Sequence, residues 1–277
     1  MKLSKSRQML WLAIVLPFVS LAQDAGETKN EFNASVNYQS ALHFFGRTDS
    51  LRSSGLFPML GFQFKNGLYA QGNFIFVQNS MQSAAYTGAT IEAGYRFPQT
   101  DHFAGNIFFS RFLYKDQSTL VQSAIRSQTG ANLSFLNKVL NLNGGLSLLF
   151  SDKTDVNTSL GVDHFFIFTK GLNGAAIAIA PSITANLGTQ QFSNTYLERK
   201  NVLGIPVTQQ TTERTTQFNI LSYEMSVPVV FVKGKFNMSV TPSYVMPQNL
   251  VTVAGRPDLS ERGKNMFYVT LSAGIRL

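Results

Sequence analysis

Few side chains in this chain have an obvious chemical use. There are three histidines, His43, His102 and His164, and each stands beside a phenylalanine. A hydrolytic site needs a His and a Ser within hydrogen-bond reach and a third group to orient the ring. No Ser lies two residues beyond any of the three, so their expected role is packing near strand ends. Asp152, Asp155 and Asp163 are spaced too irregularly for a calcium loop, which needs oxygen ligands at alternating positions and a closing Glu. Gly144-Gly145 precedes no helix start and so makes no phosphate cradle. The chain has no Cys, which excludes a disulfide framework, a thiolate metal site and a Cys nucleophile. No cofactor motif is present, and catalysis is not expected.

The remaining candidates are ionisable residues set among polar positions of alternating segments: Glu92, Arg96, Arg126, Asp163, Glu224 and Arg276. If those segments are strands, parity sends these six to the face opposite the apolar residues. Two uses are open. Rings of charged side chains select solutes in channels. Alternatively, mixed charges pair across a filled interior and satisfy one another.

The segments that would position them are strands. Phe267, Val269, Leu271, Ala273, Ile275 and Leu277 alternate with Tyr268, Thr270, Ser272, Gly274 and Arg276. The same period of two recurs around Phe32–Tyr38, Ile125–Phe135 and Leu140–Phe150, and no segment holds a 3.6-residue period. Breaking the chain at Gly, Pro, Asn and Asp clusters gives about twelve strands: 31–45, 56–64, 68–79, 86–98, 103–114, 123–136, 139–151, 158–169, 175–188, 216–229, 235–246 and 265–277. Every second connection is short, such as Lys65-Asn66-Gly67, whose Asn-Gly pair is a strong hairpin signal. The others, 46–55, 80–85, 115–122, 152–157, 189–215 and 247–264, are longer and polar. Pro181, Pro228 and Pro242 fall inside expected strands, where they mark bulges or a weakened wall.

Residues 1–22 follow the plan of a secretory signal peptide: Lys2, Lys5 and Arg7, then an apolar run from Met9 to Val19, then Ser20-Leu21-Ala22. Cleavage after Ala22 lowers the formal charge from +8 to +5 and leaves 23–277 as one barrel domain. Charged residues are only 14% of the chain, against about 25% in a soluble domain. The basic residues are scattered and never run together, which argues against nucleic acid as a partner.

From Phe32 to Leu277 the chain resembles the outer-membrane β-barrel proteins of Gram-negative envelopes. The likeness rests on the leader, the alternating strands, the asymmetric connections and a final amphipathic strand ending at Leu277. It implies an all-β fold, a single closed antiparallel transmembrane barrel with short periplasmic turns and long extracellular loops. It also implies an outer-membrane location and partners among outer-membrane lipid and lipopolysaccharide, met by loop cations such as Arg47, Arg52, Lys153 and Arg262. The first functional expectation is a narrow porin-like channel for small solutes. The second is an envelope interaction barrel with a closed lumen, with the 189–215 loop as a possible contact for an envelope protein. A membrane lipid hydrolase ranks third.

Overall fold

The computed structural model describes residues 29–49, 51–115, 120–193, 216–252 and 260–277. The leader expected at 1–22 and the tip of the 189–215 connection lie outside them.

Fifteen strand segments form one antiparallel sheet: β1 (Glu31–Gln39), β2 (Ser54–Gln63), β3 (Leu68–Asn79), β4 (Gln82–Arg96), β5 (Phe103–Tyr114), β6 (Ser127–Phe135), β7 (Asn141–Phe150), β8 (Thr154–Asp163), β9 (Phe166–Phe168), β10 (Ala175–Ile179), β11 (Ser182–Gly188), β12 (Asn219–Ser226), β13 (Val229–Lys233), β14 (Phe236–Pro247) and β15 (Met266–Arg276). The segments make twelve staves, because β8 continues as β9, β10 as β11 and β12 as β13. Neighbours in sequence pair around the sheet from β1 to β8, and β8 pairs β11. The ring then closes through β12–β14, β14–β15 and β15–β1, with Asn33 opposite Arg276 and Gln39 opposite Thr270.

Closure follows from the two faces of each strand. Leu60, Ile91, Phe109, Leu133, Leu146, Leu160 and Met238 are exposed on the outside, whereas Asn37, Asn73, Ser110, Gln128, Asn157 and Asn186 are buried inside. A sheet with a greasy outer face has no water to pair its edges, and each unpaired backbone group in hydrocarbon costs several kcal/mol. A ring has no edge. Leu146 stands near the middle of β7, 56% exposed. Leu146→Arg is expected to cost about 2–4 kcal/mol in lipid vesicles, read as a lowered urea midpoint. An unchanged midpoint would place that wall in water.

The prolines do not form bulges. Pro181 and Pro228 interrupt two staves, separating β10 from β11 and β12 from β13, and Pro242 stays inside β14. Their carbonyls still accept, from His164 N at 3.3 Å, Ala180 N at 3.0 Å and Val227 N at 3.0 Å respectively. Only the missing donors break the ladder, and the breaks line up across adjacent staves.

Two connections expected to be long are tight. β3 and β4 join through Ser80-Met81, with Asn79 opposite Gln82, and β7 and β8 join through 151–153. The first stave, in contrast, ends at Gln39 rather than at residue 45.

Candidate functional site

The inner face is mostly polar toward the short turns, with an apolar layer near the long connections. Near the short turns, Glu92 accepts from the Tyr69 hydroxyl at 3.0 Å, Gln71 Nε2 at 3.1 Å and Ser110 Oγ at 2.7 Å. Asn106 donates to the Tyr69 hydroxyl, and Asn132 donates to Asn106, each at 3.1 Å. The Arg96 guanidinium lies 5.0 Å from the Tyr69 ring centre and donates to Gln63. Gly94 makes room for this network: a Cβ there would sit 2.6 Å from the Tyr69 hydroxyl. Arg276 pairs with Glu31 at 3.6 Å at the same end.

Most of these lower residues are half-buried, so the lumen opens toward the short turns. Higher up the lining closes. Ser222, Glu224, Thr241, Ser243 and Thr270 are all buried, and Glu224 accepts from the Tyr268 hydroxyl.

The far mouth is filled by the chain itself. After β1 the backbone turns inward, and residues 40–49 enter the ring. Their tip is a two-residue turn, Phe45-Gly46, with φ of 51° and 76°. Phe44 and Arg47 flank it and pair through Phe44 N to Arg47 O at 2.8 Å and Arg47 N to Phe44 O at 2.9 Å. Only glycine suits position 46, because a Cβ there would also meet Pro247 at 2.8 Å.

Phe44, 1% exposed, packs with Phe112 of β5, Ile125, Leu149 of β7 and Phe192. Leu42 packs with Ile75 and Val77 of β3 and with Leu120. β7 lies six staves from β1, so the loop crosses the full width of the mouth. On the near side Arg47, also 1% exposed, uses its whole guanidinium. Nε donates to Glu261 Oε1 at 3.0 Å, and Nη1 donates to the carbonyls of Phe45 and Leu221 at 3.1 Å each. Nη2 donates to Gln190 Oε1 at 2.6 Å and to the Gln248 carbonyl at 3.1 Å. Glu261 also accepts from Ser193 Oγ, and from Val251 N at 2.8 Å. One cation therefore ties together three connections between staves.

Asp155, fully buried, supports the same plug from β8. It accepts from Thr189 Oγ1 and Gln191 N at 2.6 Å and from Phe192 N at 2.7 Å, which aims Phe192 at Phe44. The His43 ring meets the Tyr268 ring edge-on at 4.5 Å, and its Nδ1 accepts from Gly46 N at 3.2 Å. Nε2 is buried with no partner among the described residues. Burial lowers the His43 pKa from 6.5 to about 4.

No protein-family model matches this chain, and no curated protein does. Among solved structures it is similar to the KdgM porin, with TM-score 0.46 and 10% identity over 88% of this chain and 98% of that one. It is similar to the NanC porin, with TM-score 0.44 and 10% identity over 89% and 100% of the two chains. LpxR from Salmonella typhimurium gives TM-score 0.45 and 10% identity over 88% and 99%.

The sequence-derived candidates divide by position. Glu92, Arg96 and Arg276 share the lower, open end of the lumen, and Glu224 lies deep beside Tyr268. Asp163 sits where β8 breaks, accepting from Asn141 Nδ2 at 2.6 Å and from Asn143. Arg126 lies outside the regular strands. It precedes β6 at the long-connection rim, where its exposed side chain pairs with Asp152 in solvent. Arg47, expected on an outer loop surface, is instead the most deeply held cation of the plug. His43, expected at a strand end, belongs to the plug as well. His102 stacks on Phe135 and His164 meets Phe166 edge-on, as packing residues.

Proposed function

We propose that this protein is a non-enzymatic conduit of the outer membrane of a Gram-negative cell, passing small polar solutes and shut in its resting state by the 40–53 loop. The reading rests on one observation above all: Phe44, carried by the loop that leaves β1, packs on Leu149 across the mouth. With the lumen open at the other end, a path forms when that loop and the residues clamped to it move aside. The lower lining, with Glu92, Arg96 and Arg276, then meets any solute that enters.

Planar-bilayer recording tests this. Wild-type protein should be electrically quiet, and replacing residues 42–48 with a Gly-Ser linker should give stepwise conductance. In the opened variant, Glu92→Gln should reduce cation preference. A loop-replaced barrel that folds, shown by its heat-dependent gel shift, and stays silent would overturn the conduit. That result favours a closed interaction barrel, a reading supported by the burial of the upper lumen residues Asn73, Ser110, Gln128 and Asn186. Its outward contact would then be sought in the 189–215 connection.

A further inference from the structure

The outer wall carries one charge that its surroundings do not explain. Arg111 lies on β5 between Phe109 and Leu113, all three exposed on the same outward face. Every other charged residue of the described strands faces the lumen, except Lys233, which ends β13 at a short turn. The Arg111 side chain makes no hydrogen bond or ion pair with any described residue. A bare guanidinium on a lipid-facing wall is unfavourable unless it reaches an anion or water.

Its height says which anion is near. Arg111 is eight residues beyond Phe103, the short-turn end of β5. A rise of about 3.4 Å per residue along a strand tilted roughly 40° puts it about 20 Å up an apolar belt some 25 Å tall. That is about 5 Å below the headgroups of the leaflet on the long-connection side, a distance that an extended arginine side chain spans. The immediate neighbours are suited to an anion as well. Ser127, directly opposite in register and so on the same face, offers a hydroxyl. Lys115 follows on the same face of the chain, its Nζ 5.2 Å from the ring centre of Tyr86, which is also exposed.

We propose that Arg111, with Ser127 beside it and Lys115 above, is a binding site for the phosphate of a membrane lipid in that leaflet. Guanidinium meets phosphate through two parallel charge-assisted hydrogen bonds, and Lys115 adds a point charge at the next level. The inference rests on the wall facing lipid and not on the lumen being a gated path.

Native mass spectrometry of the detergent-solubilised barrel is the test. The protein is incubated with lipid A, with lipid A stripped of both phosphates, or with phosphatidylglycerol. Wild type should retain the phosphorylated lipid A and lose the stripped form. Arg111→Leu, a substitution suited to this apolar wall, should bind about tenfold more weakly, and Arg111→Lys should keep part of the binding. Retention of lipid A alone assigns the phosphate to that lipid, and equal retention of phosphatidylglycerol, lost in the same variant, assigns the site to lipid phosphate in general. Equal binding of the stripped lipid by wild type, or unchanged binding by a folded Arg111→Leu barrel, overturns the proposal. Conductance should be the same in Arg111→Leu as in wild type, so failure here and failure of the conduit reading are separable.

Discussion

Arg47→Leu is expected to destabilise the plug by about 3–5 kcal/mol, the usual cost of removing one partner of a buried ion pair, and to give conductance where wild type gives none. The reason lies in what remains. Glu261, nearly as buried as Arg47, loses its cation and is left with Ser193 and the Val251 amide. The carbonyls of Phe45, Leu221 and Gln248 and the Gln190 side chain each lose a donor. Removing both charges, as in Arg47→Leu with Glu261→Leu, should recover part of the loss, because a matched apolar pair carries no buried charge. Urea denaturation in vesicles reads the stability, and bilayer recording reads the opening. A single variant as stable and as silent as wild type would show that the plug stays seated without its clamp.

The barrel was legible because lipid on one side and water on the other impose a period of two on every stave. Leu142, Leu146 and Leu148 against Asn143, Gly145 and Ser147 state the whole arrangement of β7. That signal stops where the contrast of solvents stops. Gln82, Ser83 and Ala84 extend β4 above the belt with no alternation, so the strand reads as loop. The same logic explains the extra length given to the first stave. Leu42 and Phe44 keep the spacing of a strand, yet they leave the wall and bury themselves against Val77 and Leu149. Nothing local marks the change except Gly46.

The charges were harder. Glu92, Glu224 and Arg276 each lie inside a regular strand, where the pleat alone sets the face. Arg126 stands just before β6 at the rim, where its side chain is exposed and pairs with Asp152. Arg47 looked like any loop cation because its five acceptors come from residues up to 214 positions away. Such a constellation has no sequence spacing to read. Arg111, however, was within reach. Its odd-numbered place between Phe109 and Leu113 already puts it on the lipid side.

Acid should loosen the plug through His43. The folded ring, held near pKa 4 by burial, refuses a proton that the released loop accepts near 6.5. Below pH 6.5 the open form binds more protons than the closed one, so closure weakens as pH falls and levels off near pH 4. The slope is about 1.4 kcal/mol, or tenfold in the opening equilibrium, per pH unit, and the whole effect is about 3 kcal/mol. Above pH 6.5 both forms are neutral and the contribution of His43 is fully present. The Tyr268 ring lies against His43, with Glu224 hydrogen-bonded behind it, so a second titrating group stands close by. His43→Phe separates the two: it keeps the apolar contact with Tyr268 and removes the imidazole. Hydrogen exchange at the Phe44 and Arg47 amides, which bond to each other across the loop tip, reports opening directly. Exchange corrected for intrinsic rates should rise about 15-fold in wild type between pH 6.5 and 5, and much less in His43→Phe. If wild type and variant show the same pH dependence, the buried imidazole does not set the stability of the closed mouth.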